Sequence, residues 1–472
     1  MTSDPSRTYK WVTLISAAVT LVFLIAAAVR ENVTAGWRDY QSRYREILVS
    51  KAKDDASRRV AERFPINIRQ VTVPALQTVD RCVTCHNGID DPRMAGEPNP
   101  HKTHPKGLLQ IHRVERFGCT VCHQGQGAAL SFEEAKAENQ FWDYPLLPAA
   151  LTEATCNQCH DPRALPEGSA AKLVHGMELY QQKGCASCHK LDGKGGALGP
   201  ALDNAGLKTK HQFMRENLHG SQSVWNWMEE HFRDPGKIVP ASLMGPPALT
   251  EPEVEALTVY MLSLRQRELP SEYLAPDKIE EKYARLHPAE PDGEKLYGRY
   301  CASCHDAGLQ TRWDKKFGRF VPAIRNAAFL KTEDDECLLA NIREGRPGTR
   351  MPAWGPKAGG LSEKEMEAVV HYLRASAQAV ALPPAPPRGT ASHGKTLFQQ
   401  SCAGCHGADG KGLVAPALAN PVFQKAATDA FIAQTIRLGR ENTPMPSFGR
   451  AGLTEQDIGD LLAHLRQWEK QQ

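Results

Sequence analysis

A chain of 472 residues is long enough for about three domains of ordinary size, which argues against one compact core. A hydrophobic fraction of 41% and a mean hydropathy of −0.45 describe a soluble body and exclude a polytopic membrane protein. Lys and Arg (57) nearly balance Asp and Glu (54), and without a basic stripe or interleaved aromatics the composition excludes nucleic acid as a partner.

The first predicted element is the uncharged run Trp11 to Val29, bounded by Arg7 and Lys10 before and Arg30 after. As a helix it measures about 28 Å, near the thickness of a bilayer core. A cleaved signal peptide is the competing reading, with Ala26-Ala27-Ala28 as its cleavage site. The length of the run, and the lack of a polar segment before the alanines, favour a retained anchor, with residues 1–35 as tail and transmembrane span. Next comes 36–65. Between Trp37 and Phe64 there is no Pro or internal Gly, and Trp37, Tyr40, Tyr44 and Ile47 recur at helical spacing. One helix of about 40 Å is expected, either lifting the next module off the bilayer or lying against a partner subunit. After Lys51 a solvated charged stalk is an equal alternative.

Thirteen cysteines then demand an explanation. Twelve form Cys-x-x-Cys-His motifs: Cys82-Cys85-His86, Cys119-Cys122-His123, Cys156-Cys159-His160, Cys185-Cys188-His189, Cys301-Cys304-His305 and Cys402-Cys405-His406. Cys337 is left over, in a helical stretch where a small buried residue is expected. Cysteines three apart share one face of a helical turn, where each can form a thioether to a haem vinyl group. The histidine that follows is then placed to ligate the iron. A zinc ribbon has no use for histidine directly after each pair, so the set predicts six covalently attached haem c groups, with the six motif histidines as iron ligands.

The first three motifs are evenly spaced, 37 residues apart, in a stretch rich in Pro, Gly and His. Such a stretch buries little side-chain core, so residues 66–173 are expected to be a loop-rich triheme module packed around its own haems. His104 and His112 are the preferred sixth ligands here, with His101 and Met94 also nearby, and the third haem has no evident candidate.

The last three motifs sit in a repeat. Gly176, Gly293 and Gly394 each open a Gly-x-x-Leu-aromatic stretch before the motif. Pro200, Pro322 and Pro416 follow it, then Met244, Met351 and Met445 in Pro-rich loops. Helix starts at Thr250, Ser362 and Thr454 close each unit, the first two as capping boxes and the third with Asp for Glu. This order resembles class I cytochrome c domains over 174–268, 290–378 and 391–472. The resemblance implies three tandem all-α domains in a mainly α chain. It makes His189, His305 and His406 proximal ligands, Met244, Met351 and Met445 distal ligands, and the three proline carbonyls acceptors for the proximal imidazole N–H. Met244, followed by Gly instead of Pro, departs from the pattern, and Met214 and Met228 are weaker alternatives. By alignment with the repeat, His175 and His393 are capping or surface residues and His464 a packing residue. The charged, Pro-rich stretches 269–291 and 381–392 are expected to be stiff spacers.

Met/His ligation raises haem potential relative to two histidines, so a low-potential cluster followed by three higher-potential domains describes a downhill wire. The arrangement also resembles the cytochrome c subunits of bacterial quinol-oxidising cytochrome b complexes. That implies electrons entering from an inner-membrane, quinol-linked complex and leaving to a soluble periplasmic carrier or oxidase. Counting Arg30, Arg38, Arg43 and Arg45 favours the opposite orientation, but by resemblance to c-type cytochromes haem attachment takes place outside the inner membrane, which makes the body periplasmic. The rival reading is a catalytic reductase or peroxidase with one open haem.

Overall fold

The computed structural model describes residues 5–33, 35–314 and 318–469. The first four residues of the expected tail and the last three of the third domain lie outside these. By its contacts the chain divides into two units, one running to Thr155 with Leu269–Tyr273, the other comprising Cys156–Glu268 and the chain from Leu274 onward. The fold is mainly α. Its strands among the described residues are two short antiparallel pairs, Val71–Val73 with Thr78–Asp80 and Arg312–Asp314 with Arg319–Val321.

The first unit opens on the helix Pro5–Asn32, whose segment Ser6–Arg30 is long and apolar enough to cross a membrane and has none of its apolar window buried. The expected single helix over 37–64 is two, Trp37–Ser50 and Asp55–Glu62. Asp54 ends the run by adopting an extended backbone and capping the second helix in a reciprocal box with Ser57. The apolar stripe turns inward upon its own module. Tyr44, Ile47 and Leu48 form a small core with Ala61 and Met94, and Phe64 packs on it, while Tyr40 at the edge of the stripe stays exposed.

In the second unit three similar bodies recur, each held by its first helix crossing its last. The pairs are Ala171–Gln182 with Glu251–Ser263, Gly293–Tyr300 with Glu363–Arg374, and Ala391–Ser401 with Glu455–Leu465. The repeated glycines mark these crossings. A Cβ on Gly176, Gly293 or Gly394 would stand 2.1, 1.9 and 1.9 Å from the carbonyl oxygens of Ala256, Ala368 and Asp460. Because the obstacle is backbone, a side chain fits only if the helices move apart. Gly394→Ala is therefore expected to destabilise by about 1–3 kcal/mol through overpacking, outweighing the helix-propensity gain of up to ~1 kcal/mol. A denaturant midpoint at or above the wild-type value would refute this account of the glycines.

All three last helices start in the expected capping boxes, Thr250 with Glu253, Ser362 with Glu365 and Thr454 with Asp457. An ion pair repeats beside each start: Arg233–Glu251 at 2.6 Å, Arg343–Glu363 at 2.8 Å and Arg437–Glu455 at 2.6 Å. The second and third bodies share a further device. Buried Arg374 and Arg466 bind Asp335 and Asp429 and donate to carbonyls at the ends of the helices Ala327–Thr332 and Pro421–Ala426. Cys337 is fully buried, as expected, and packs with the third body's core. The stretch expected to be a spacer after the first body instead forms the helix Pro276–Leu286, with proline in its first turn.

Candidate haem sites

In the three repeated bodies the motif histidines adopt one arrangement. His189, His305 and His406 each place Nδ1 on a proline carbonyl, Pro200 at 2.8 Å, Pro322 at 3.2 Å and Pro416 at 2.8 Å. An Nδ1–H held this way fixes the tautomer that coordinates a metal through Nε2. Burial pushes all three imidazoles below the usual histidine range, keeping the neutral form a ligand needs. Gly199 leaves room for the His189 ring, since a Cβ there would lie 2.4 Å from its Cε1.

The methionine loops are also built alike. Met244, Met351 and Met445 are partly buried, and each backbone N–H donates to a hydroxyl two residues earlier, Ser242, Thr349 or Thr443. In the second and third bodies Arg346 and Arg440 close the loop by donating their N–H to the carbonyls of Met351 and Met445. His464 packs between Phe398 and Trp468, and His393 pairs with Asp460 at 2.7 Å, so both are engaged elsewhere.

In the first unit the first two motifs meet. The Cys82 and Cys119 thiols lie close enough to perturb one another. Buried Asp80 ties the motifs together, accepting from the Cys119 and Thr120 N–H groups and from the Thr120 hydroxyl. Burial lowers the affinity of both His86 and His123 for a proton, and each also feels a neighbouring histidine. His104 stands opposite His123, with ring centroids 6.2 Å apart, and its own Nδ1 lies on the Pro105 carbonyl. Two imidazoles bound to one metal at the ordinary nitrogen distance of about 2 Å have centroids about 6 Å apart, so this pair fits an iron between them. The His112 ring packs edge-on against Phe117. His101, the third spare histidine of this stretch, is buried against Tyr40 and Tyr44, and its Nδ1 has no partner among the described residues. The nearby aromatic stripe on 37–50 was the signal for that burial.

The third motif packs with the second unit. Its His160 places Nδ1 on the carboxylate of Asp277, at 3.2 Å. Within this unit neighbouring bodies touch one another. Asn157 reaches Ser263, Gly184 abuts Ser303, and Arg346 and Asn420 join the second and third bodies through Ala417 and Pro347.

Twelve unbridged motif thiols in pairs, each pair followed by a histidine, are the donor set that covalent haem requires. Comparisons with known proteins agree. The family described as cytochrome c matches residues 173–265. The family described as cytochrome c oxidase, cbb3-type, subunit III matches 288–373 and 389–465. The chain is a multihaem c-type cytochrome. Relatives of the cytochrome include the cbb3-type cytochrome c oxidase subunit FixP of Bradyrhizobium sp. (strain ORS 278), 29% identical over 36% of this chain and 58% of that protein. Another is the cbb3-type subunit CcoP of Rhodobacter capsulatus, 30% identical over 34% of this chain and 53% of that protein. The cytochrome thus spans about half the length of these relatives. A solved structure, the Kuenenia stuttgartiensis reducing HAO-like protein complex, aligns at 20% identity over 37% of this chain and 94% of that one. Its TM-score of 0.27 is too low to carry an argument.

Proposed function

We propose that the cytochrome carries six haems and passes electrons from a quinol-linked complex of the inner membrane, through its membrane-proximal sites, to a periplasmic carrier or oxidase. The six Cys-x-x-Cys-His pairs bind the haems, and His86, His123, His160, His189, His305 and His406 are the proximal ligands. Met244, Met351 and Met445 complete the last three sites and His104 the second; His112, against Phe117, falls behind. The observation that carries this reading is that Asp80 bridges the first two motifs and that Gly184, at the fourth, abuts Ser303 of the fifth, because electron transfer needs closely spaced centres more than it needs a substrate pocket. Relatives named as subunits of cbb3-type oxidases support a membrane redox complex as partner, with an oxidase as one acceptor. The apolar helix Ser6–Arg30 supports a single-pass anchor, with the haem domains on the periplasmic side and module boundaries near 66–173, 174–268, 290–378 and 391–472.

Intact mass of protein matured in a host with haem-attachment machinery is expected to show six haems and to retain residues 1–30. Five or fewer haems in fully matured material would contradict the proposal. The rival reading, catalysis at an open haem, gains from the carboxylate behind His160. It differs in one observable, since carbon monoxide would then bind the reduced wild-type protein at one haem, whereas a pure wire leaves the spectrum unchanged.

A further inference from the structure

The helix Pro276–Leu286 belongs to no cytochrome c body, yet it is fastened to the third motif at several points. The Ala275 N–H donates to the Cys159 carbonyl at 2.9 Å, and Lys278, almost fully buried, donates to Asn157 Oδ1 at 3.0 Å. At its far end Arg285 pairs with Asp192 at 3.0 Å, just beyond the His189 motif. Between these anchors Asp277 presents one carboxylate oxygen to His160 Nδ1 at 3.2 Å and to the Asp161 N–H at 3.1 Å. The carboxylate lies in the first turn of its helix, where the helix dipole favours negative charge.

The contrast within one unit is chemical. His189, His305 and His406 donate to neutral proline carbonyls, whereas His160 faces an anion. A carboxylate behind a ligating imidazole makes it a stronger donor, and a stronger donor favours ferric over ferrous iron. We propose that Asp277 is the positioning residue of the third haem, fixing the His160 ring and setting this haem to a lower potential than the proline-backed haems of the same unit. The proposal rests on the reading that Cys156–His160 holds a haem with His160 as ligand.

The test is a spectroscopic redox titration of the full-length matured protein and its variants. Cys156→Ala/Cys159→Ala first identifies the third haem, as the component it removes. Asp277→Asn keeps an acceptor for both N–H groups, so the site stays assembled, but loses the charge. It is expected to shift that component alone about tenfold toward the ferrous form, or about 59 mV upward for one electron. Lys278→Gln loosens the same helix while keeping the carboxylate, and is expected to leave the component in place or lower it. An unmoved component in Asp277→Asn, or an equal upward shift in Lys278→Gln, overturns the proposal. A wild-type mass lacking a haem on Cys156 and Cys159 instead overturns the haem reading beneath it.

Discussion

Arg466→Ala is expected to cost the third cytochrome c body about 2–5 kcal/mol. Arg466 is 6% exposed, and its guanidinium pairs with Asp429 at 2.7 Å and donates to the carbonyls of Gln424 and Ala427. Truncation strands two buried carbonyls, each worth about 1–3 kcal/mol when left unsatisfied. The carboxylate contributes less, because Asp429 is partly exposed and keeps Arg388 at 2.7 Å. Lysine would not rescue the site, since a single ammonium cannot span the fork that reaches both carbonyls and the carboxylate. Arg437 is the control. It makes a comparably short pair with Glu455, but that carboxylate is 61% exposed, so Arg437→Ala is expected to cost under ~1 kcal/mol. Denaturant midpoints of the two variants in matured protein separate them, and equal losses would refute the carbonyl argument. The equivalent Arg374→Ala is expected to behave like Arg466→Ala.

What was legible in the sequence divides along the same physical line. The cytochrome c bodies could be read because local signals repeat: glycines forced by helix crossings, capping boxes, and proline carbonyls at a fixed place after each motif histidine. Each depends on neighbours in sequence or on a pattern seen three times. The sequence expectations failed where one distant residue decides. Nothing local says that Asp277 returns to His160 across 117 positions, so the stretch around it reads as a spacer. The break at Asp54 could have been read, since Asp54 and Ser57 have capping-box spacing, but the lack of Pro and Gly outweighed it. Among the loop histidines, composition could not separate His101, His104 and His112. Only the fold puts the first beneath the Tyr40–Tyr44 stripe and the second opposite His123.

His104→Met is expected to raise the potential of one low-potential haem by on the order of 0.1 V, a modest part of the ~0.8 V range that axial ligands command. His104→Ala is expected to leave that haem without its sixth ligand, giving a high-spin ferric signal from one haem and carbon monoxide binding once reduced. His112→Ala is expected to change neither, because its ring lies against Phe117. The wild-type titration must also be ordered: if the haem paired by His104 and His123 lies below the methionine-ligated ones, electrons entering beside the membrane helix run downhill outward. Loss of Met351 or Met445 should then disturb only the high-potential end. The reverse order, with the component shifted by His104→Met lying above those shifted by Met351→Ala and Met445→Ala, would point electrons toward the membrane. Delivery to a membrane partner would then replace quinol oxidation, with the haem sites themselves unchanged.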